Sequence, residues 1–277
     1  MSDGLGRRLE QDRALVDGWL KAALQVPGVP TRLAQAMRYA LLGPGKRLRP
    51  ILCLETFRAC GGRNDEWVRP FCCGIEMVHA FSLVHDDLPA MDDDDFRRGR
   101  PSLHRRHDEA TAILAGDALF ALAFEQFARG PAPAARRARA AAALARAAGP
   151  AGMAGGQVLD LAPGRRDLGR VHRLKTAVFM AAAMEVGALA AGAREAKVNA
   201  VREAGFGLGM LFQLTDDLLD TESDEGGRAS AAIARGRGRA RRDAGRLAGK
   251  VRELFQSLGP RFAVLAGLPG LVLERER

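Results

Sequence analysis

At 277 residues and 47% hydrophobic content, the chain has room for one large core or two small ones. Its net charge of +9 is concentrated: residues 226–253 hold nine Lys or Arg against Asp243 and Glu253, an excess of seven. That basic run has no aromatic residue before Phe255, no RNA-binding signature and no zinc spacing, which argues against a nucleic-acid partner.

Alanine, leucine and arginine dominate, apolar residues recur at steps of three and four, and strand-type alternation is scarce, so the expected fold class is all-α. Met1–Ala14 is charged and lacks the apolar stretch of a secretory signal. A helix from Ala34 is expected to stop at Gly43-Pro44-Gly45, and Lys46, Arg47 and Arg49 then stand at the mouth of a new helix. Three such cations suit either a phosphate-bearing ligand or a solvated turn. Cys53, Cys60, Cys72 and Cys73 show neither CxxC spacing nor a nearby histidine pattern, and the adjacent pair points to different helix faces. They read as reduced core thiols of a cytoplasmic protein.

Met77, Phe81, Val84 and Leu88 recur at steps of four, three and four, so an amphipathic helix runs into His85–Arg100. There six carboxylates, Asp86, Asp87 and Asp92 to Asp95, precede Arg97, Arg98 and Arg100. Bare charges at that density need partners. Pro89 cannot continue the helix interior, so Pro89–Asp95 is expected to fold the later carboxylates back. His79 lies one turn before Ser82 and two before Asp86, which lets it face the same space, although a helical histidine more often simply packs.

Ala112–Phe127 reads as a further helix in which Asp117 is structural, and Ala134–Ala148 as one without chemistry, after a loop marked by Gly130, Pro131 and Pro133. Thr176–Ala193 is the longest apolar run, and its small residues and Glu185 fit a buried helix better than a membrane span. A second acid cluster follows. On a helix, Gln213, Asp216, Asp217 and Asp220 share one face, and Leu208, Leu211, Thr215 and Leu218 share the opposite one. A lone acid run is usually solvated surface, but two on amphipathic helices point to a site. Oxygen-only ligands suit a hard cation: Mg2+, with Mn2+ as the alternative, combines a few carboxylates with substrate phosphate oxygens.

The stretch Glu76–Pro101 closely resembles the first aspartate-rich motif of the trans-isoprenyl diphosphate synthases, the polyprenyl synthetase family. Within it the stretch looks most like the bacterial farnesyl diphosphate synthases, which carry two extra residues inside the motif. Gly45–Pro50 resembles the family's Gly-Lys-Arg-Leu-Arg-Pro motif, Gly152–Asp160 a Gly-Met-x-Gly-Gln-like helix start, and Lys175-Thr176 its Lys-Thr pair, with Ala177 in place of the usual Gly. The similarity covers most of Ala34–Asp224 and returns weakly at Leu271–Arg277.

The resemblance implies one domain over residues 1–277, a bundle of roughly ten or more helices around a central cavity in the isoprenoid synthase fold, and a homodimer without a transmembrane segment. It implies a prenyltransferase joining isopentenyl diphosphate to an allylic diphosphate, dimethylallyl or geranyl, by Mg2+-assisted ionisation. Lys46, Arg49, His79 and Arg98 would hold isopentenyl diphosphate. Arg97 and Lys175 would hold the allylic diphosphate, with Thr176 and Gln213 beside it. Asp86, Asp92, Lys175 and Asp216 would be catalytic, and Asp86, Asp87, Asp92, Asp216 and Asp220, supported by Asp217, would bind metal. Phe81 and Ser82, five and four residues before Asp86, would floor the cavity, and a bulky ring there implies the fifteen-carbon farnesyl diphosphate.

One segment departs from the family pattern. After Asp220 the family carries a Gly-Lys loop, another Lys and a Thr-Tyr-Pro helix start. Here Arg228 and Arg237 are the only stand-ins suggested for the lysines, and Thr-Tyr-Pro is missing. A non-catalytic or weakly active subunit of a prenyl synthase therefore stays open as an alternative. So does a class I terpene cyclase, which ionises a diphosphate with similar acids but needs no second-substrate site at Lys46, Arg49 and His79.

Overall fold

Helix boundaries follow the punctuation of the sequence. The computed structural model describes residues 2–163, 167–222 and 236–274. In order come α1 (Ser2–Ala23), α2 (Thr31–Leu41), α3 (Leu48–Ala59), α4 (Arg69–Asp86), α5 (Leu103–Arg106), α6 (Glu109–Arg129), α7 (Ala134–Ala148) and α8 (Met153–Leu161). Then follow α9 (Leu168–His172), α10 (Val178–Ala191), α11 (Glu195–Glu222), α12 (Arg237–Ser257) and α13 (Ala263–Glu274). Pro70 opens α4, where its missing N–H costs nothing, and the chain leaves that helix at Asp87, two residues before Pro89. Asp108 caps α6 by accepting from the Thr111 amide at 2.6 Å. Gly192, at φ 77°, ends α10 in the left-handed conformation.

The expected all-α bundle is what forms, with α4 and α10 at its centre. Phe71–Val78 of α4 and Phe179–Ala190 of α10 are buried on every side, the pattern of helices enclosed by others. α4 lies against α6, and α10 lies against α3, α7 and α11. A Cβ on Gly187 would fall 2.2 Å from the Cys53 carbonyl oxygen, so α10 approaches the α3 backbone as only glycine allows. The run Leu168–Ala191 passes a length and hydropathy test for a membrane span, as does α6, but 78% of its apolar window is buried inside the bundle. Cys53, Cys72 and Cys73 are buried, Cys60 is half-buried, and all four are free thiols.

Two elements were not expected. α1 docks on α3 through a charged cluster in which Arg58 binds Asp12 and Glu55 at 2.6 Å each and Arg8 reaches Glu55 at 2.9 Å. A minimal hairpin, β1 (Phe96–Arg97) and β2 (Arg100–Pro101), pairs Phe96 with Pro101 and Arg97 with Arg100. Its turn holds Arg98 at φ 54° and Gly99 at φ 74°, the positive pair that tight hairpins favour. Strands of two residues are too short to leave an alternating pattern.

Candidate active site

The first acidic wall is the C-terminal end of α4 and the loop that Pro89 forces out of it. The loop folds back: the Asp92 amide donates to the Asp86 carbonyl at 2.9 Å, and the Met91 and Asp93 amides donate to the Leu88 carbonyl at 2.8 and 3.2 Å. The six carboxylates then divide. Asp87, buried, takes Arg97 Nε at 2.8 Å, and Arg97 also reaches Asp94 at 2.9 Å. Asp95 takes Arg105 at 2.6 Å. Arg97 and Arg105 thus pair with three of the six, while Asp86 lies near Lys175 and Asp92 near Gln157 of α8. Burial pushes the Asp86 carboxyl up to about 6, with Asp92 and Asp87 adding to the rise and Lys175 and Arg97 opposing it.

The second wall is built by α11 and a π-helical turn, Arg173–Ala177, wedged between α9 and α10. One extra residue per turn rotates the side chains out of α-helical phase, a device common at functional sites. Lys175 Nζ reaches Asp160 of α8 at 2.8 Å, and Thr176 Oγ1 donates to Gln213 Oε1 of α11 at 3.0 Å. His172 Nε2 lies 3.7 Å from Asp217 Oδ1. A Cβ on Gly209 would fall 2.5 Å from Ala177 Cα, so the turn and α11 meet closely behind the polar face. Leu208, Leu211 and Thr215 are buried, as the opposite-face pattern requires, and Thr215 Oγ1 donates to the Leu211 carbonyl at 2.8 Å.

The walls share neighbours. Lys175, beside α11, is close enough to Asp86 to lower its pKa, and Asp216 is close enough to Arg49 to raise that of the guanidinium. Gln157 Nε2 of α8 lies 3.4 Å from Asp92 Oδ1, completing a polar path from the first wall through α8 to the second. The Asp220 side chain, and those of Arg228 and Arg237, lie outside the described residues.

A separate group of cations sits where α2 ends and α3 begins. Lys46 is exposed. Arg49 Nη1 lies 3.2 Å from His79 Nε2, and Arg98 Nη1 donates to the Pro44 carbonyl at 2.8 Å. Burial lowers Arg49 to about 10, with Glu76 and Asp216 opposing and Arg98 adding. Burial, and then the field of Arg49 and Arg98, hold His79 well below the usual imidazole range, so the ring is neutral. Arginine can only donate, so His79 Nε2 accepts and the ring proton sits on Nδ1. Arg47 is the exception. The sequence groups it with Lys46 and Arg49 as a phosphate-facing cation, but its side chain is only 4% exposed and turns inward to Asp17 and Glu76.

A model of the polyprenyl synthetase family matches residues 30–228. The chain belongs to the polyprenyl synthetase family. It is 43% identical over 206 residues to geranylgeranyl pyrophosphate synthase 7 of Arabidopsis thaliana, across 71% of this chain and 59% of that protein. The chain thus spans about six-tenths of the length of that plant relative. Its bundle superposes on a geranyltransferase from Legionella pneumophila with a TM-score of 0.90 at 29% identity, covering 99% of this chain and 98% of the other. An FPP/GFPP synthase from Zymomonas mobilis gives a TM-score of 0.89 at 34% identity, covering 99% and 100%. The fold is the isoprenoid synthase fold.

Below the first acidic wall lies a ladder of rings. Phe81 sits 4.6 Å from His85 and 4.8 Å from Phe120 of α6, and Phe120 sits 5.1 Å from Phe124 between ring centroids. Ser82 is buried and bonds back to the His79 carbonyl at 2.9 Å. Among the described residues no three carboxylate, imidazole or thiolate groups converge on one point. The mutual repulsion of Asp86 and Asp92 suits a cation between them, and their oxygen-only donors suit a hard one. Gln157, Asp160 and His172 join the site although sequence reasoning gave them no role. A one-turn spacing of Gln157 and Asp160 was the available signal.

Proposed function

We propose that this protein condenses isopentenyl diphosphate head-to-tail with an allylic diphosphate to give a short-chain prenyl diphosphate. One observation carries the reading: two acidic walls that share Lys175 as a neighbour stand beside a separate cluster of Arg49, His79 and Arg98. One anion site serves ionisation, and the second implies a second anionic substrate.

Asp86 and Asp92 on one wall and Asp216 on the other, supported by Asp87, Asp217 and Asp220, would hold Mg2+. The ion would neutralise charge on the departing diphosphate as the C–O bond breaks. Lys175 adds a fixed positive charge on the same side, and Arg97, held by Asp87, adds a second. The Thr176 hydroxyl, fixed by Gln213, turns an oxygen toward the carbon that becomes positive. Lys46, Arg49, His79 and Arg98 hold isopentenyl diphosphate so that its double bond is the nearest nucleophile, and this positioning supplies much of the rate. Neutral His79 accepts from Arg49 and keeps its Nδ1 proton to donate.

The ring ladder from Phe81 to Phe124 supports an early stop to chain growth, hence farnesyl diphosphate. Names of relatives do not decide length, because they include a geranylgeranyl and an FPP/GFPP synthase. The test is incubation of purified protein and Mg2+ with labelled isopentenyl diphosphate and dimethylallyl or geranyl diphosphate, with products sized by chain length. Elongated product supports the reading, and its absence rejects it in favour of an inactive subunit. That second reading draws on the missing Thr-Tyr-Pro segment after Asp220. Product that forms without isopentenyl diphosphate would indicate a terpene cyclase.

A further inference from the structure

Three cations, Lys46 and Arg47 in the loop after α2 and Arg49 in the first turn of α3, stand close in sequence, and the structure separates them. Lys46 is exposed and Arg49 opens toward His79, but Arg47 is buried with its backbone at φ 49°. A residue with a Cβ takes that left-handed conformation at a cost, so its surroundings must fix it. Three bonds do so. Nε donates to Asp17 Oδ1 of α1 at 2.8 Å, Nη1 to Glu76 Oε1 of α4 at 3.0 Å, and Nη2 to the Gly43 carbonyl in the loop beyond α2 at 2.7 Å. The planar fork of a guanidinium can span them, and a single ammonium cannot.

We infer that Arg47 and Glu76 are a positioning pair that sets the isopentenyl diphosphate clamp without touching substrate. The inference rests on the condensation reading above. The left-handed residue is where the chain reverses between Lys46 and the first turn of α3, so it determines how Lys46 and Arg49 face one another. Glu76 lies one turn before His79 on α4, so the same carboxylate ties the loop to the helix that bears the third clamp residue. Its field also reaches Arg49 and Arg98, balancing a cluster of guanidiniums before any diphosphate arrives. Stability alone gives little reason to keep this pair, since apolar replacements of buried ion pairs are often neutral or stabilising.

The decisive variant is Arg47→Met with Glu76→Met, compared with Arg47→Lys and wild type. Thermal unfolding reports the fold. Calorimetric titration with isopentenyl diphosphate reports the clamp without needing turnover, and steady-state kinetics report each KM. The double variant is expected to unfold near the wild-type temperature yet bind isopentenyl diphosphate between about tenfold and a hundredfold more weakly, as a displaced clamp would. The allylic KM is expected to be unchanged, and Arg47→Lys to fall between. A folded double variant with wild-type affinity overturns the positioning role, as does an equal loss for both substrates. If the double variant does not fold, Asp17→Ala removes one bond at a partly exposed carboxylate, and unchanged affinity there overturns the role instead. Wild type that binds isopentenyl diphosphate but never condenses it counts against the catalytic reading alone. Wild type that does not bind it overturns both.

Discussion

Lys175 and Asp160 form an ion pair at 2.8 Å, joining the π-helical turn to α8 beside the first acidic wall. The ammonium is about one-fifth exposed and lies near enough to Asp86 to lower its pKa, so one lysine connects two acid-bearing elements, α8 and α4. Asp160 thereby fixes the position of this charge beside Asp86. Lys175→Ala is expected to cut kcat/KM for the allylic diphosphate by about a hundredfold or more, the usual cost of losing one preorganised charge. The isopentenyl diphosphate KM should stay put. Asp160→Asn leaves the ammonium in place and should cost far less. Steady-state kinetics with each substrate varied separately would check both.

Metal removal should abolish condensation and leave the fold untouched. The first wall is held by its own bonds, the Asp92 amide to the Asp86 carbonyl and Arg97 to Asp87, so little folding energy is expected to depend on an ion. Treatment with EDTA is expected to leave the helical circular dichroism signal and unfolding midpoint unchanged while product formation stops. Added Mg2+ should restore it. A falling midpoint would reveal a structural metal instead.

Product length should respond to the ring ladder. Removing the Phe81 ring opens the space in front of Phe120, so Phe81→Ala is expected to shift products beyond fifteen carbons. Adding Phe120→Ala should lengthen them further. Chain-length analysis that shows no change in either variant rejects the ladder as the floor.

His79 should make stability pH-dependent in ligand-free protein. Its folded pKa is well below 6.5, so above that value neither state binds a proton and the residue contributes no slope. As pH falls below 6.5 the unfolded chain gains a proton that the folded chain refuses, and stability drops by up to about 1.4 kcal/mol per pH unit. Urea unfolding at pH 7.5 and 5.5 should therefore show a larger loss for wild type than for His79→Asn. Equal losses would mean that the ring protonates freely in the folded state.

Much of this was legible in the residues themselves. Apolar spacing marked α4 and α11, Pro89 and Gly43-Pro44-Gly45 marked where helices end, and the alanine run marked α7 to the residue. What escaped has physical reasons. The π-helical turn at Arg173–Ala177 packs closely against Gly209 and leaves no periodic trace of its own. Asp87 looks like Asp86 in sequence, and only the reach of Arg97 separates the two. Arg47 and Arg49 lie two positions apart and face different ways because a left-handed backbone intervenes, which composition does not reveal in a non-glycine residue.

The inserted residue of that turn has a consequence for how the protein tolerates change. A wide turn of five residues winds about as far as four α-helical ones, so deleting one position within Arg173–Ala177 would restore regular winding and still keep α9 and α10 in phase. Lys175 and Thr176 would then rotate away from Asp160 and Gln213. The bundle would survive a loss of length there, and the contacts that aim those two side chains would not.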